Sequence, residues 1–137
     1  MIKKREEIYN KYNGLCAYCG KPLESDWQID HIIPQRYKDY IDNNKIYNNE
    51  NLIPCQKLIN HYKRALSLED FRNLWLGKLH LRLKKLPVNP KTEKSKKRKE
   101  YLLNIANYFD ITPDNPFSGK FYFEDIKWIT AFKVTQW

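Results

Sequence analysis

Asp30-His31 and Asn60 are the side chains in this sequence whose types, taken together, could hydrolyse a phosphodiester. The reaction needs a nucleophile made from water, a cation to stabilise charge on the phosphorane and leaving oxygen, and a scaffold that holds both against the backbone. A histidine with a pKa near neutrality serves as the base. Hard oxygen ligands such as Asp and Asn hold Mg2+ or a similar ion and leave coordination positions open to water and phosphate. An isolated Asp-His pair carries little weight, because an Asp also fixes a His tautomer at an ordinary strand end. Asn60 carries more: in mid-helix it is a poor choice by propensity, which favours a ligand over a solvent-facing residue.

Around this set the chain is basic, with Lys+Arg 25 against Asp+Glu 16 and a formal net charge of +9. Such a surface attracts polyanions, nucleic acid first, although charge alone also fits a merely soluble surface. Lys63 and Arg64 follow Asn60 by about one helical turn, and Lys96, Lys97 and Arg98 lie in the charge-dense run from Lys91 to Glu100. These cations can hold phosphates or form a solvated face. Cys16-Ala17-Tyr18-Cys19 has the spacing of metal knuckles and redox loops, and three cysteines cannot all pair. No stretch reaches the ~20 apolar residues of a membrane span, and Met1 to Glu7 lacks a signal-peptide core, so the expectation is an intracellular, cytoplasmic protein without membrane contact.

These residues need elements to carry them. Lys3 to Tyr12, with Ile8 and Tyr12 four apart, reads as a short amphipathic helix stopped by Asn13-Gly14. Trp27, Ile29 and Ile32-Ile33 read as a strand ended by Pro34, with Asp30 and His31 on or beside it. Arg36 to Glu50 is polar and reads as a long loop with one helical turn around Tyr37 to Ile41; Leu52-Ile53, stopped by Pro54, is the return strand. Cys55 to Ala65 carries Leu58, Ile59 and Tyr62 at helical spacing, with Lys57, Asn60, Lys63 and Arg64 on the other face.

Beyond it, Ser67 caps a helix whose stripe is Phe71, Leu74, Trp75, Leu79 and Leu83, ending near Leu86 before Pro87 and Pro90. His80 sits in that helix as a structural residue. The Lys91–Glu100 run is a basic helix start or a linker feeding Tyr101-Leu102-Leu103. Phe117 to Glu124 alternates enough to be a strand, and Trp128 to Trp137 adds aromatic surface. With 42% hydrophobic and 15% aromatic content, 137 residues have room for one core, hence a single domain, 1–137, with a basic extension.

The order Cys16-x-x-Cys19, Asp30-His31-Ile32-Ile33-Pro34, Asn51-Leu52-Ile53-Pro54, Asn60-His61-Tyr62-Lys63 resembles the HNH endonucleases. The resemblance covers about residues 14–66; Ser67-Leu68-Glu69-Asp70-Phe71-Arg72 is also similar to the stretch just after the motif in many phage and bacterial members. Pro116 to Phe123 is similar to a tail seen in some. It implies an α+β fold: a ββα-metal core flanked by an N-terminal helix and C-terminal helices, the extension running over about 67–137. It also implies a metal-dependent DNA endonuclease in which His31 is the general base and Asp30 and Asn60 hold Mg2+ (or Mn2+). Asn51 then ties the loop between the strands and so orients the histidine, and hydrolysis leaves a 5′-phosphate and a 3′-hydroxyl.

The sequence departs from that pattern at the knuckle. Many members carry a second cysteine pair on the catalytic helix, completing a structural Zn2+ site, but here the positions fall on Gln56 and Ile59. A zinc held by Cys16, Cys19 and Cys55 would need Cys55 and His61 to reach round. The expectation is apolar packing around Ile59, with Cys16 and Cys19 as buried small residues. His61, about 100° round the helix from Asn60, packs, meets DNA or binds metal. Two alternatives stay open: an inactive nucleic-acid-binding module on the same fold, and a zinc-ribbon-like interaction domain. Oligomeric state is not fixed by the sequence.

Overall fold

The computed structural model describes residues 2–126; the aromatic stretch expected at Trp128 to Trp137 lies outside them. The fold is α+β, with helices and, among the described residues, one two-stranded antiparallel sheet. The chain divides into two compact units: one runs to Leu68 and resumes at Lys120, and the other is Glu69–Gly119.

In the first unit, α1 (Ile2–Asn10) ends where Asn13 (φ 56°) and Gly14 (φ 80°) enter the left-handed region. A Cβ on Gly14 would stand 2.8 Å from the Tyr9 hydroxyl, so glycine serves both the turn and the close approach. Ile8 buries itself with Trp27 and Leu52, and Leu23 and Ile29 pack against that cluster. The Arg5 guanidinium lies 3.9 Å above the Trp27 ring and donates to the Trp27 carbonyl at 2.7 Å.

Strand β1 (Gln28–His31) pairs with β2 (Leu52–Cys55) in the register Gln28↔Cys55, Ile29↔Pro54, Asp30↔Ile53, His31↔Leu52. Pro54 does not stop β2; it lies inside it. With two strands, each has an unpaired edge, and the proline's missing N–H is tolerated there, while its carbonyl accepts from Ala17 N at 2.9 Å. The loop between the strands is more helical than its composition suggests, with 3-10 turns at Gln35–Tyr37 and Asn49–Asn51 and helix α2 (Asn43–Tyr47) capped by the Asp42 side chain. Helix α3 (Lys57–Lys63) then packs against β1 and completes the ββα arrangement.

The tail departs from the strand expected at Phe117 to Glu124: residues 122–126 are helical. The Glu124 carboxylate accepts from Phe121 N at 2.9 Å, and Glu124 N bonds back to Phe121 O at 3.0 Å, the local bonding of a helix start. Phe121 and Phe123 are both buried, so the alternation in the sequence is real; its cause is a helix entry lying on the Cys16–Cys19 turn.

The second unit is helical. Helix α4 (Leu68–Asp70) leads into a π-helical stretch, Phe71–Leu76, followed by α5 (Leu79–Lys84) and α6 (Glu93–Tyr108). The π turn resets the stripe expected of a continuous α-helix. Phe71 and Leu76, five apart, are buried together with Leu79 and Leu83, whereas Leu74 is 45% exposed. Gly77 permits it, since a Cβ there would meet the Asn73 carbonyl oxygen at 2.5 Å. The basic run is helix, not linker: Thr92 caps α6 by accepting from Ser95 N at 3.1 Å, and Leu102, Ile105 and Ala106 form its buried side. No helix among the described residues is long and apolar enough to cross a membrane.

Candidate active site

Asp30, His31, Asn60, Lys63 and Arg64 line one polar cleft of about 390 Å3, together with Gln35 and Arg36. Strand pairing sets the first two: Gln28 and Asp30 alternate onto the same side of β1, and α3 meets that side with Asn60 and Lys63. His31 is the last residue of β1, where the chain turns into Ile32–Pro34.

That turn is tied down by Asn51, which is 6% exposed. Its Oδ1 accepts from Ile33 N at 2.7 Å, and its Nδ2 donates to Ile33 O at 3.1 Å and to Ile46 O at 2.8 Å. Its backbone carbonyl accepts from Ile32 N at 3.0 Å. One side chain thus links the residues after His31 to α2.

The His31 ring is half-buried, edge-on to Tyr47 with centroids 5.9 Å apart, and its Nε2 accepts from the exposed Gln35 amide at 3.3 Å. Burial holds the imidazole below the ordinary histidine value; Asp30 pulls the other way, and Lys63 and Lys4 add to the lowering. The neutral ring, with an unprotonated Nε2, is therefore the form this site favours at neutral pH.

Asp30 is buried, and its Oδ2 is engaged twice, by the Tyr18 hydroxyl and by the Lys63 ammonium at 3.1 Å. Among the described residues no donor reaches Oδ1. Lys63 is 1% exposed and also donates to His31 O at 3.3 Å. It is thus a buried counter-ion, not the outward-facing phosphate contact its sequence position suggests. Asn60 donates its Nδ2 to Gln28 Oε1 at 2.7 Å, which fixes the amide orientation and leaves its carbonyl oxygen to the cleft.

Among the described residues no three His, Cys, Asp or Glu side chains group so as to hold a metal ion. A cation here would draw on one carboxylate oxygen and one amide oxygen, with water and phosphate completing its shell. That hard-oxygen set fits Mg2+ or Mn2+.

The other residues singled out from the sequence fall in several places. Cys16 and Cys55 are fully buried, Cys19 is half-buried, and Ile59 is buried as well. Burial opposes ionisation of Cys16, yet donation from Cys19 and Cys55 draws its pKa well below the ordinary thiol value. His61 is exposed and His80 half-buried. Arg64 is exposed at the cleft, in a left-handed backbone conformation (φ 54°) that ends α3. Lys96, Lys97 and Arg98 are exposed on α6, in the second unit.

Tyr18, Gln28 and the buried role of Lys63 were not foreseen from the sequence. Helical spacing offered a signal for Lys63, because a residue three after Asn60 shares its face. Tyr18, lying between two cysteines, gave none.

No curated protein and no solved structure matches the chain. The model of the HNH endonuclease family matches residues 16–56, which takes in Cys16, Asp30, His31, Asn51 and Cys55 and stops just before α3. The segment that builds the knuckle, both strands and the loop behind His31 is therefore similar to an HNH endonuclease domain.

Proposed function

We propose that this chain is a metal-dependent DNA endonuclease that hydrolyses phosphodiester bonds. The convergence of Asp30, His31 and Asn60 on one cleft that also holds Arg36, Lys63 and Arg64 carries this reading. His31 takes the proton of the attacking water, and its depressed pKa keeps it neutral and ready to do so. The exposed Gln35 amide on Nε2 marks the direction from which a water hydrogen would approach. The water oxygen attacks phosphorus in line, the bond to the 3′ oxygen breaks, that oxygen takes a proton from solvent, and the products are a 5′-phosphate and a 3′-hydroxyl.

Asp30 Oδ1 and the Asn60 amide oxygen would hold a divalent cation, Mg2+ or Mn2+, which supplies charge stabilisation at the phosphorane and the leaving oxygen. Asn51 acts through the turn it ties, keeping the imidazole aimed. Arg64 and Arg36 hold neighbouring phosphates, and Lys96, Lys97 and Arg98 add phosphate contacts that carry no sequence information. One such site cuts one strand per encounter, so a monomer nicks.

The test is cleavage of supercoiled plasmid with Mg2+ or Mn2+ by the intact protein, by His31→Ala, and with EDTA. Nicking that needs metal and disappears in His31→Ala is the expected result. Plasmid binding with no cutting in all three would overturn catalysis and leave a nucleic-acid-binding module.

A further inference from the structure

We infer that Tyr18 is the positioning residue for Asp30, held in place by the chain's own returning segment, residues 121–123. The inference rests on the reading of Asp30 as a metal ligand.

The geometry is specific. Tyr18 is 1% exposed, and its hydroxyl, which must find a partner once buried, donates to Asp30 Oδ2. Lys63 holds the same oxygen. Two donors from opposite ends of the motif, one on the knuckle and one on α3, therefore fix the carboxylate plane and direct Oδ1 into the cleft. A carboxylate held by one donor could rotate about its terminal torsion; held by two, it presents one oxygen in one direction.

Tyr18 is itself clamped from behind. Its ring meets Phe121 edge-on at 5.1 Å and Phe123 at 6.2 Å. Its carbonyl accepts from Tyr122 N at 3.1 Å, and the Ala17 carbonyl accepts from Phe123 N at 2.9 Å. Gly20 closes the fit, because a Cβ there would stand 2.7 Å from Tyr122 Cδ1. The segment after Gly119 thus forms the back wall of the tyrosine that sets the proposed ligand, more than one hundred residues away in sequence from Cys16.

Tyr18→Phe removes the hydroxyl and keeps the ring packing. Mn2+ binding to the DNA-free full chain, read from the EPR signal of the free ion, should weaken about tenfold, the lower end of what losing a group that orients a metal ligand costs. The Mn2+ concentration for half-maximal nicking should rise by the same factor. The melting temperature should fall, because a buried hydrogen bond to a carboxylate is lost, whereas the plasmid affinity in EDTA, which reports surface charge, should hold near wild type.

Phe121→Leu leaves the hydroxyl and loosens the clamp; it should weaken Mn2+ binding in the same direction by less, and it carries the test if Tyr18→Phe does not fold. Wild-type Mn2+ affinity in both variants would overturn the positioning role while leaving the nuclease reading intact. Absence of Mn2+ binding by the wild-type protein would overturn both.

Discussion

Asn51→Asp tests the reasoning at one pair of atoms. The substitution keeps size and shape and keeps the acceptor that meets Ile33 N, but it puts an oxygen where an amide nitrogen stands 3.1 Å from Ile33 O and 2.8 Å from Ile46 O. Two hydrogen bonds are lost at about 1 kcal/mol each, and the buried Ile46 carbonyl, deprived of this donor, adds about 1 kcal/mol or more, for roughly 3 kcal/mol in total. The introduced carboxyl faces carbonyl oxygens, so its folded-state pKa is raised. Its destabilisation is then full above that raised value and shrinks as the pH falls through it, because the protonated form regains one donor.

Urea denaturation followed by circular dichroism at pH 8 and pH 5 reads the difference, and plasmid nicking reads the consequence for His31. The turn after His31 would lose its tie, and a misplacement of about 1 Å in a reacting group costs on the order of 100-fold in rate. A loss of stability below about 1 kcal/mol, a larger loss at pH 5 than at pH 8, or nicking at the wild-type rate would each refute the account of Asn51.

Three further outcomes are expected. Because burial lowers the His31 pKa, the base stays neutral to below the ordinary histidine value, and the acid limb of a kcat/KM profile for nicking should fall below pH 6.5; a limb above that value contradicts the burial argument. Lys63→Met leaves a buried carboxylate without its cation and should cost about 3 kcal/mol of stability, with Mn2+ raising the melting temperature of the variant more than that of the wild type. Replacing Lys96, Lys97 and Arg98 together by Ala should lower DNA affinity and reduce the slope of log affinity against log salt by about 2–3, whatever the DNA sequence; an unchanged slope means that this face of α6 is only solvated.

The ββα arrangement was legible because three signals agreed: β-branched residues around Asp30, a short apolar return at Leu52-Ile53, and the Leu58, Ile59, Tyr62 spacing of α3. Each reports a local preference that tertiary packing did not override. The failures share a different cause. The π turn at Phe71–Leu76 depends on backbone bonding that a 3.6-residue pattern cannot register, and Gly77 gives meaning to it only once the Asn73 carbonyl is in place. The period-2 burial of Phe121 and Phe123 imitates a strand because the chain there is entering a helix while lying on another segment. The charge of Lys63 reads as a phosphate contact or a solvated face, whereas its place on α3 beside Asn60 brings it to Asp30, the buried carboxylate among the described residues.

That carboxylate joins folding to the proposed chemistry. A buried acid needs compensation, and Asp30 receives it from a phenol hydroxyl and an ammonium on a single oxygen, which satisfies the charge with protein groups alone. A site built this way would fold without a cation and, on the proposed reading, would present the second oxygen already oriented. The same division explains why the matched family segment, residues 16–56, is not sufficient for the geometry described: Lys63 and Asn60 come from α3, and the packing behind Tyr18 comes from residues 121–123, all outside it. Among the described residues, the matched segment supplies the proposed base and one proposed ligand oxygen, and Lys63 and the packing behind Tyr18, which bear on that oxygen's orientation, come from outside it.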